Sequence, residues 1–318
     1  MITIIAQAIR FGIVFLYGST GEILIEKSGH LNLGVPGIMC LGSVGGCMGA
    51  YWAYRAGMSP FLVVLIAVLM AMLFGGLGGL LYGVFTITMR CNQNVTGLSL
   101  TTFGAGVLGF WGTQMGEKDI LFAPASRFAF TTSLFFGKEV PDNWFVTIFL
   151  SHGVLVYLGI LFALLVHLVL KYTRTGLSLR AIGENPAAAD AAGIPVIRYK
   201  YVSCVLGAAI AGVGGAFYLL DCTRGSLEYV IDAMGWLAVA LVIFSLWRPN
   251  FSILGSFVFG FLYILKDYIE GVDLAGKELL KVIPYAVTAL VLIVISFFNK
   301  KETQPPASLG LPYFREDR

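Results

Sequence analysis

Charge is what this sequence has least of: 21 Lys and Arg with 18 Asp and Glu make up 12% of its 318 residues, where a soluble domain carries about 25%. So few charges cannot coat a globule of this length, and with 58% hydrophobic residues the composition excludes a soluble domain and leaves an integral membrane protein. Histidine is scarcer still. His30, His152 and His167 lie far apart with no acid or cysteine at ligand spacing, so neither a metal site nor a nucleophilic triad has residues to stand on. The five cysteines (Cys40, Cys47, Cys91, Cys204 and Cys222) are odd in number and form no CxxC pair, which reads as free thiols acting as small apolar side chains. A formal net charge of +3 is too slight to imply nucleic acid.

Long apolar runs are what the chain has instead. Runs able to cross ~30 Å of hydrocarbon fall at 3–19, 33–54, 60–86, 95–115, 145–169, 201–220, 230–247, 251–266 and 283–298. The expected fold is an all-α, polytopic membrane bundle of about nine spans (8–10). It forms one transmembrane domain over 1–298 and a cytoplasmic tail over 299–318. The seventh and eighth runs are short and meet at Trp247-Arg248-Pro249-Asn250, so one of them is the candidate for a broken or re-entrant segment. The first run has no small-residue cleavage site and is read as a retained span. Arg10 inside it is expected to snorkel toward the nearer membrane surface.

Orientation follows from the basic residues. The 170–200 loop carries Lys171, Arg174, Arg180, Arg198 and Lys200 against Glu184 and Asp190, which sets it inside. With that choice the inner loops and tail hold 12 basic and 7 acidic residues and the outer loops 8 and 11. The expected topology is therefore N-terminus out, C-terminus in. Glycine, 39 residues, recurs with other small residues at every fourth position in Gly75-Gly79-Gly83, Gly42-Gly46 and Gly207-Ala211-Gly215. Such ridges let helix backbones approach closely in lipid, and packing inside one subunit is favoured over a seam between two.

Several matches carry no chemistry. Gly271 to Glu278 fits GxxxxGK but has Glu where a phosphate loop needs Ser or Thr, and no strand precedes it. Asn94-Val-Thr and Asn250-Phe-Ser fall at cytoplasmic span ends, where glycosylation does not occur. Acids cluster at span ends, so an ion-coupled carrier lacks the embedded titratable group it requires. A membrane enzyme or channel lacks a polar cluster.

The segment from Arg180 to Pro195 is unusual for a loop between spans. Asn185 suits an N-cap and Pro186 the first helical position; five alanines favour helix, and Gly193 supplies a left-handed stop with Pro195 behind it. A two-turn helix over 186–192 is expected, too short to be stable alone. It is either a passive connector or a handle for a partner, its alanine face docking closely while Arg180, Glu184 and Asp190 fix orientation.

At these residues the chain resembles a known family. Gly183-Glu-Asn-Pro-Ala-Ala-Ala-Asp-Ala-Ala-Gly193-Ile, with Thr173 to Arg180 before it, is similar to the cytoplasmic loop of bacterial ABC-importer permeases that serve sugars, branched-chain amino acids and nucleosides. Glu26 to Gly37, Asn92 to Leu100, Met234 to Phe244 running on to Pro249, and Ile283-Pro-Tyr285 add to the likeness, which extends from about 20 to 298. It is strongest to the shorter permease of nucleoside importers with a basic-membrane-lipoprotein-type receptor. The resemblance implies a multi-pass protein of the bacterial inner membrane and a second, related permease. It also implies a cytoplasmic ATPase that binds ATP-Mg, so that this chain holds no cofactor, and an extracytoplasmic substrate-binding lipoprotein. It makes 186–192 the coupling helix, with Arg180, Gly183, Glu184, Asn185, Pro186, Asp190 and Gly193 facing the ATPase. A sugar, a branched-chain amino acid or a riboflavin-like solute is the alternative cargo to a nucleoside. Asn32, Asn92 and Gln93 are neutral hydrogen-bonding groups at the ends of Gly-rich apolar segments, and Phe103 and Trp236 offer faces on which a base stacks; the other reading is that the amides cap helices and the rings pack. The 117–144 loop, with Phe122, Pro124, Phe128, Phe130 and Phe135, either receives the receptor or forms a re-entrant plug.

Overall fold

The computed structural model describes residues 2–115, 119–137, 141, 143–225, 232–269, 273–297 and 304–314. The 298/299 boundary between span and tail, Lys300, Lys301, Arg315 and Arg318, and parts of the 117–144 loop lie outside the described residues. Fourteen helices follow in order: α1 Ile2–Glu26, α2 Val35–Arg55, α3 Pro60–Gly83, α4 Gln93–Met115, α5 Asp119–Ala129, α6 Trp144–Phe149, α7 Val154–Tyr172, α8 Arg174–Glu184, α9 Pro186–Ala191, α10 Val196–Phe217, α11 Asp232–Phe244, α12 Pro249–Tyr268, α13 Leu274–Leu280 and α14 Ile283–Ser296. α3 and α10 each end in a π-turn, Val84–Thr88 and Tyr218–Cys222. No strand occurs among the described residues.

Among the described residues, five helices are long and apolar enough to cross a membrane: Ile2–Glu26, Pro60–Thr88, Val154–Tyr172, Val196–Cys222 and Pro249–Tyr268. α2 and α4 have the length but are diluted by Gly, Ser and Thr. Of the two runs that meet at Trp247, the eighth becomes a full 20-residue helix, and the described part of the seventh is helical as the 13 residues of α11. The fifth run also divides: α6 stops at Phe149, and α7 begins only at Val154.

α10 is the central post. Within its apolar window 83% of residues are buried, against 33% for α3, α7 and α12. The second fully enclosed element is the later part of α1, where every residue from Gly12 to Glu26 is buried. The first span therefore does not end at residue 19 as the sequence suggests. It continues for two further turns, because α10 and the segments around Asn32 and Trp247 cover Glu22 and Glu26.

The glycine ridges lie inside the subunit, as expected. A Cβ on Gly75 or Gly79 of α3 would strike Ala208 or Cys204 of α10, one on Gly46 of α2 would strike Ala216, and one on Gly207 would meet the carbonyl oxygen of Gly21 at 2.4 Å. Close approach of this kind gives helices in lipid the dispersion contacts that hydrophobic driving force does not supply there.

Candidate functional site

The loop over 173–195, the candidate handle, is built from local capping chemistry. Thr173 opens α8, its hydroxyl accepting from Gly176 N at 3.1 Å. α8 is amphipathic: Gly176, Leu179, Ile182 and Gly183 are buried, whereas Arg180 and Glu184 are exposed. Asn185 both ends α8 and caps α9, its Oδ1 accepting from Ala188 N at 3.0 Å, and Pro186 occupies the first turn. Gly193 takes φ +83°, and the Ile194 N–H reaches back to the Ala189 carbonyl at 3.0 Å, closing the helix with a left-handed stop. The expected helix over 186–192 is present as Pro186–Ala191.

One alanine fastens this helix. Ala189 is buried with Ile182 and Val196, and Ile194, Tyr199 and Tyr313 pack around them. Ala187, Ala188, Ala191, Ala192 and Gly193 stay exposed, leaving a small, smooth knob with no long side chain to hold off a partner.

The C-terminal tail grips the same loop. Ser308 donates to the Gly183 carbonyl through both its amide (2.9 Å) and its hydroxyl (2.6 Å), Tyr313 donates to Asp190 Oδ2 at 2.8 Å, and Gly310 N donates to the Gly29 carbonyl at 3.2 Å. Gly183 has no room for a Cβ, which would lie 2.4 Å from the Lys27 carbonyl oxygen. Gly183 and Asp190 thus face the chain's own tail and the segment after α1, whereas Arg180, Glu184, Asn185 and Gly193 face outward. Replacing Tyr313 with Phe removes one hydrogen bond to a charged acceptor, worth about 1.5–3 kcal/mol. The expected result is faster amide exchange over 186–194 with no change in the rest of the chain.

Behind the handle, the 27–34 segment joins α1 to α2 and is pinned from three helices. The Glu22 carboxylate accepts from Asn32 N and Nδ2, both at 3.1 Å, and Asn32 Oδ1 accepts from Gly34 N at 2.9 Å to start α2. Tyr82 of α3 donates to the Leu31 carbonyl at 2.8 Å, and Gln93 Oε1 of α4 accepts from Leu31 N at 2.7 Å. One turn beyond Glu22, Glu26 accepts from the indole N–H of Trp247, which ties α1 to the turn between α11 and α12. Burial lowers the Lys27 ammonium from its usual range, with Glu184 and Glu26 opposing the shift. Burial and, second, the charge of Lys200 push the His30 imidazole down to about 3, so it is neutral at any physiological pH.

The five residues expected to line a path are not equivalent. Asn32 and Gln93 are buried and meet on the 31–32 stretch. Asn92 is exposed and accepts from Val95 N at 3.1 Å, capping α4. Phe103 is 53% exposed on α4, and Trp236 is half-buried on α11. The helices carrying them converge on the start of α2: a Cβ on Gly37 would strike Leu100 and Thr101 of α4, and one on Gly235 of α11 would strike Pro36.

Sequence reasoning missed the polar partners inside the bundle. Arg10 does not snorkel. Its guanidinium forms an ion pair with Asp221 on the α10 π-turn and donates also to the Asp221 carbonyl. The acids Glu22, Glu26 and Asp221 do lie at helix ends, as expected, but they are buried there. The signal available was the pair of acids one turn apart at the end of a helix; nothing local marks Asp221 as a partner 211 residues away.

Comparison with known proteins agrees with this architecture. The family model for the permease component of the branched-chain amino acid transport system matches residues 4–295. A putative glucose ABC transporter permease of Haloferax volcanii is 30% identical over 82% of this chain and 76% of its own. A nucleoside ABC transporter permease of Lactococcus lactis is 29% identical over 98% and 96%, and a guanosine ABC transporter permease of Bacillus subtilis 23% identical over 99% and 97%. No solved structure gives a significant match. With a match over nearly its whole length and several apolar helices fit to cross a bilayer, the chain belongs to the branched-chain amino acid transport system permease family and is a multi-pass ABC transporter permease component of the cell membrane.

Proposed function

We propose that the chain is one of two membrane-spanning halves of an ATP-driven nucleoside importer. It crosses the membrane nine times, through α1, α2, α3, α4, α7, α10, α11, α12 and α14, with its N-terminus outside and its C-terminus inside. α9 seats in a groove of a cytoplasmic ATPase that binds ATP-Mg, and the outer face receives a substrate-binding lipoprotein. The observation that carries this reading is the handle itself: a capped, alanine-surfaced helix held at one buried residue and braced by the tail. A connector needs none of that capping.

ATP drives such a cycle by binding more tightly to the complex in one membrane conformation than in the other. A movement of α9 is transmitted by α8 to the Lys27 carbonyl and so to the loop that fixes the start of α2, around which Asn32, Asn92, Gln93, Phe103 and Trp236 gather. Neutral amides and aromatic faces suit an uncharged base and sugar. Support for a nucleoside over a sugar comes from relatives named for nucleoside and guanosine transport that align end to end with this chain. The glucose permease likeness keeps a sugar as the second reading.

The test is radiolabelled nucleoside uptake by cells carrying the parent chain or Gly193→Arg, with adenosine, guanosine, uridine and ribose as competitors. No atom lies within 4 Å of the Cβ position at Gly193, so the substitution spares the membrane bundle. It strains a φ of +83° and puts a long cation on the knob. Uptake is expected to fall at least about tenfold, equivalent to ~1.4 kcal/mol of lost docking, with membrane content unchanged. Competition by ribose alone would move the cargo to sugars, and normal uptake by the variant would remove the coupling role.

A further inference from the structure

α7 and α10, with α8 at one end, line a groove of about 630 Å³. Val166 of α7 and Leu206 and Ile210 of α10 form its walls, and Leu24 of α1 its floor. At the end nearest the handle the lining changes character: Thr175 and Arg198 stand at the mouth, with α8 closing over it through Leu179. Arg198 is exposed.

We propose that this groove holds one acyl chain of an anionic phospholipid of the inner leaflet, with its phosphate on Arg198; the leaflet assignment rests on the orientation proposed above. Length favours this occupant. From Arg198 to Ile210 the groove follows twelve residues of helix, about 18 Å, close to the ~15 Å of one leaflet's hydrocarbon. Its charged end therefore falls where a headgroup lies and its apolar end near the midplane. Charge selects the headgroup. Lys171 and Arg174, where α7 passes into α8, are exposed as well, and a guanidinium forks onto phosphate oxygens as an ammonium does not. Because α8 closes the groove, a bound lipid would brace the base of the handle.

Native mass spectrometry of the full-length chain, purified with its associated subunits from nanodiscs containing phosphatidylglycerol or only phosphatidylethanolamine, tests this. The parent chain is expected to retain phosphatidylglycerol in preference. Arg198→Gln should weaken retention about tenfold, as loss of a charge-assisted contact does. Leu206→Trp, at a position 49% exposed and so tolerant of a larger ring, should fill the groove and abolish retention of either lipid. Equal retention by the parent and both variants would overturn the proposal. So would a Leu206→Trp chain that loses a co-purifying permease while its lipid content is unchanged, because the groove would then belong to a protein partner. Arg198→Cys, made with Cys91→Ser because Cys91 is itself exposed, would overturn the orientation and the leaflet if it reacts with impermeant reagent only from outside, whereas phosphatidylglycerol retention is read independently of it.

Discussion

Arg10→Leu is expected to cost about 3–5 kcal/mol, because it leaves a buried carboxylate without its counter-charge. The Asp221 side chain is 3% exposed and that of Arg10 25%, so water compensates neither fully. The guanidinium also donates to the Asp221 backbone carbonyl, one of the last carbonyls of α10, which a helix end leaves without an intrahelical partner. The measurement is the thermal midpoint of the detergent-solubilised chain. Asp221→Leu alone should be comparably damaging, and the double variant should recover most of the loss, since an apolar pair in place of a buried ion pair is commonly neutral or stabilising. A snorkelling Arg10 would give the opposite pattern, a nearly neutral single variant and no recovery in the double.

This pair shows where the sequence ceases to be informative. The capped helix Pro186–Ala191 was legible because its signals are local: Asn185, Pro186, five alanines and Gly193 fall within nine residues and act through their own backbone. Existence of the apolar helices was legible from run length. The end of α1 was not. Ser19-Thr20-Gly21-Glu22 reads as an exit from the membrane when only neighbours in sequence are considered. What keeps these residues inside is remote: Ser252 bonds Ser19 at 2.7 Å, the Gly207 carbonyl abuts Gly21, and Trp247 donates to Glu26. The candidate path was legible only as residue types. That Asn32 directs its amide to Glu22 and its oxygen to Gly34, whereas Asn92 caps α4, depends on which helix lies opposite each, and composition carries no trace of that.

The small-residue ridges were legible as ridges, and their partners decide the second large effect. Gly42 of α2 lies against Gly212 of α10, where a Cβ would come 2.2 Å from the Gly212 Cα and 2.3 Å from its carbonyl oxygen. Both obstacles are backbone, so no rotamer change relieves the clash and the helices must separate. Gly212 has no slack on its other side, since a Cβ there would stand 2.7 Å from the Ala71 carbonyl oxygen and 3.0 Å from the Gly75 Cα. α2, α3 and α10 therefore meet at one point with no atom to spare. Gly42→Val is expected to exceed the usual 1–3 kcal/mol of overpacking and to cut the yield of folded chain sharply. Gly106→Val on α4, where nothing lies within 4 Å, should leave yield and thermal midpoint at parental values, since Val is no worse than Gly in a helix. Fluorescence-detected size exclusion of the two variants separates packing within the subunit from pairing between subunits. Loss of the monodisperse species in Gly42→Val places the ridge inside the fold, whereas a stable monomer that no longer associates would assign it to a subunit seam.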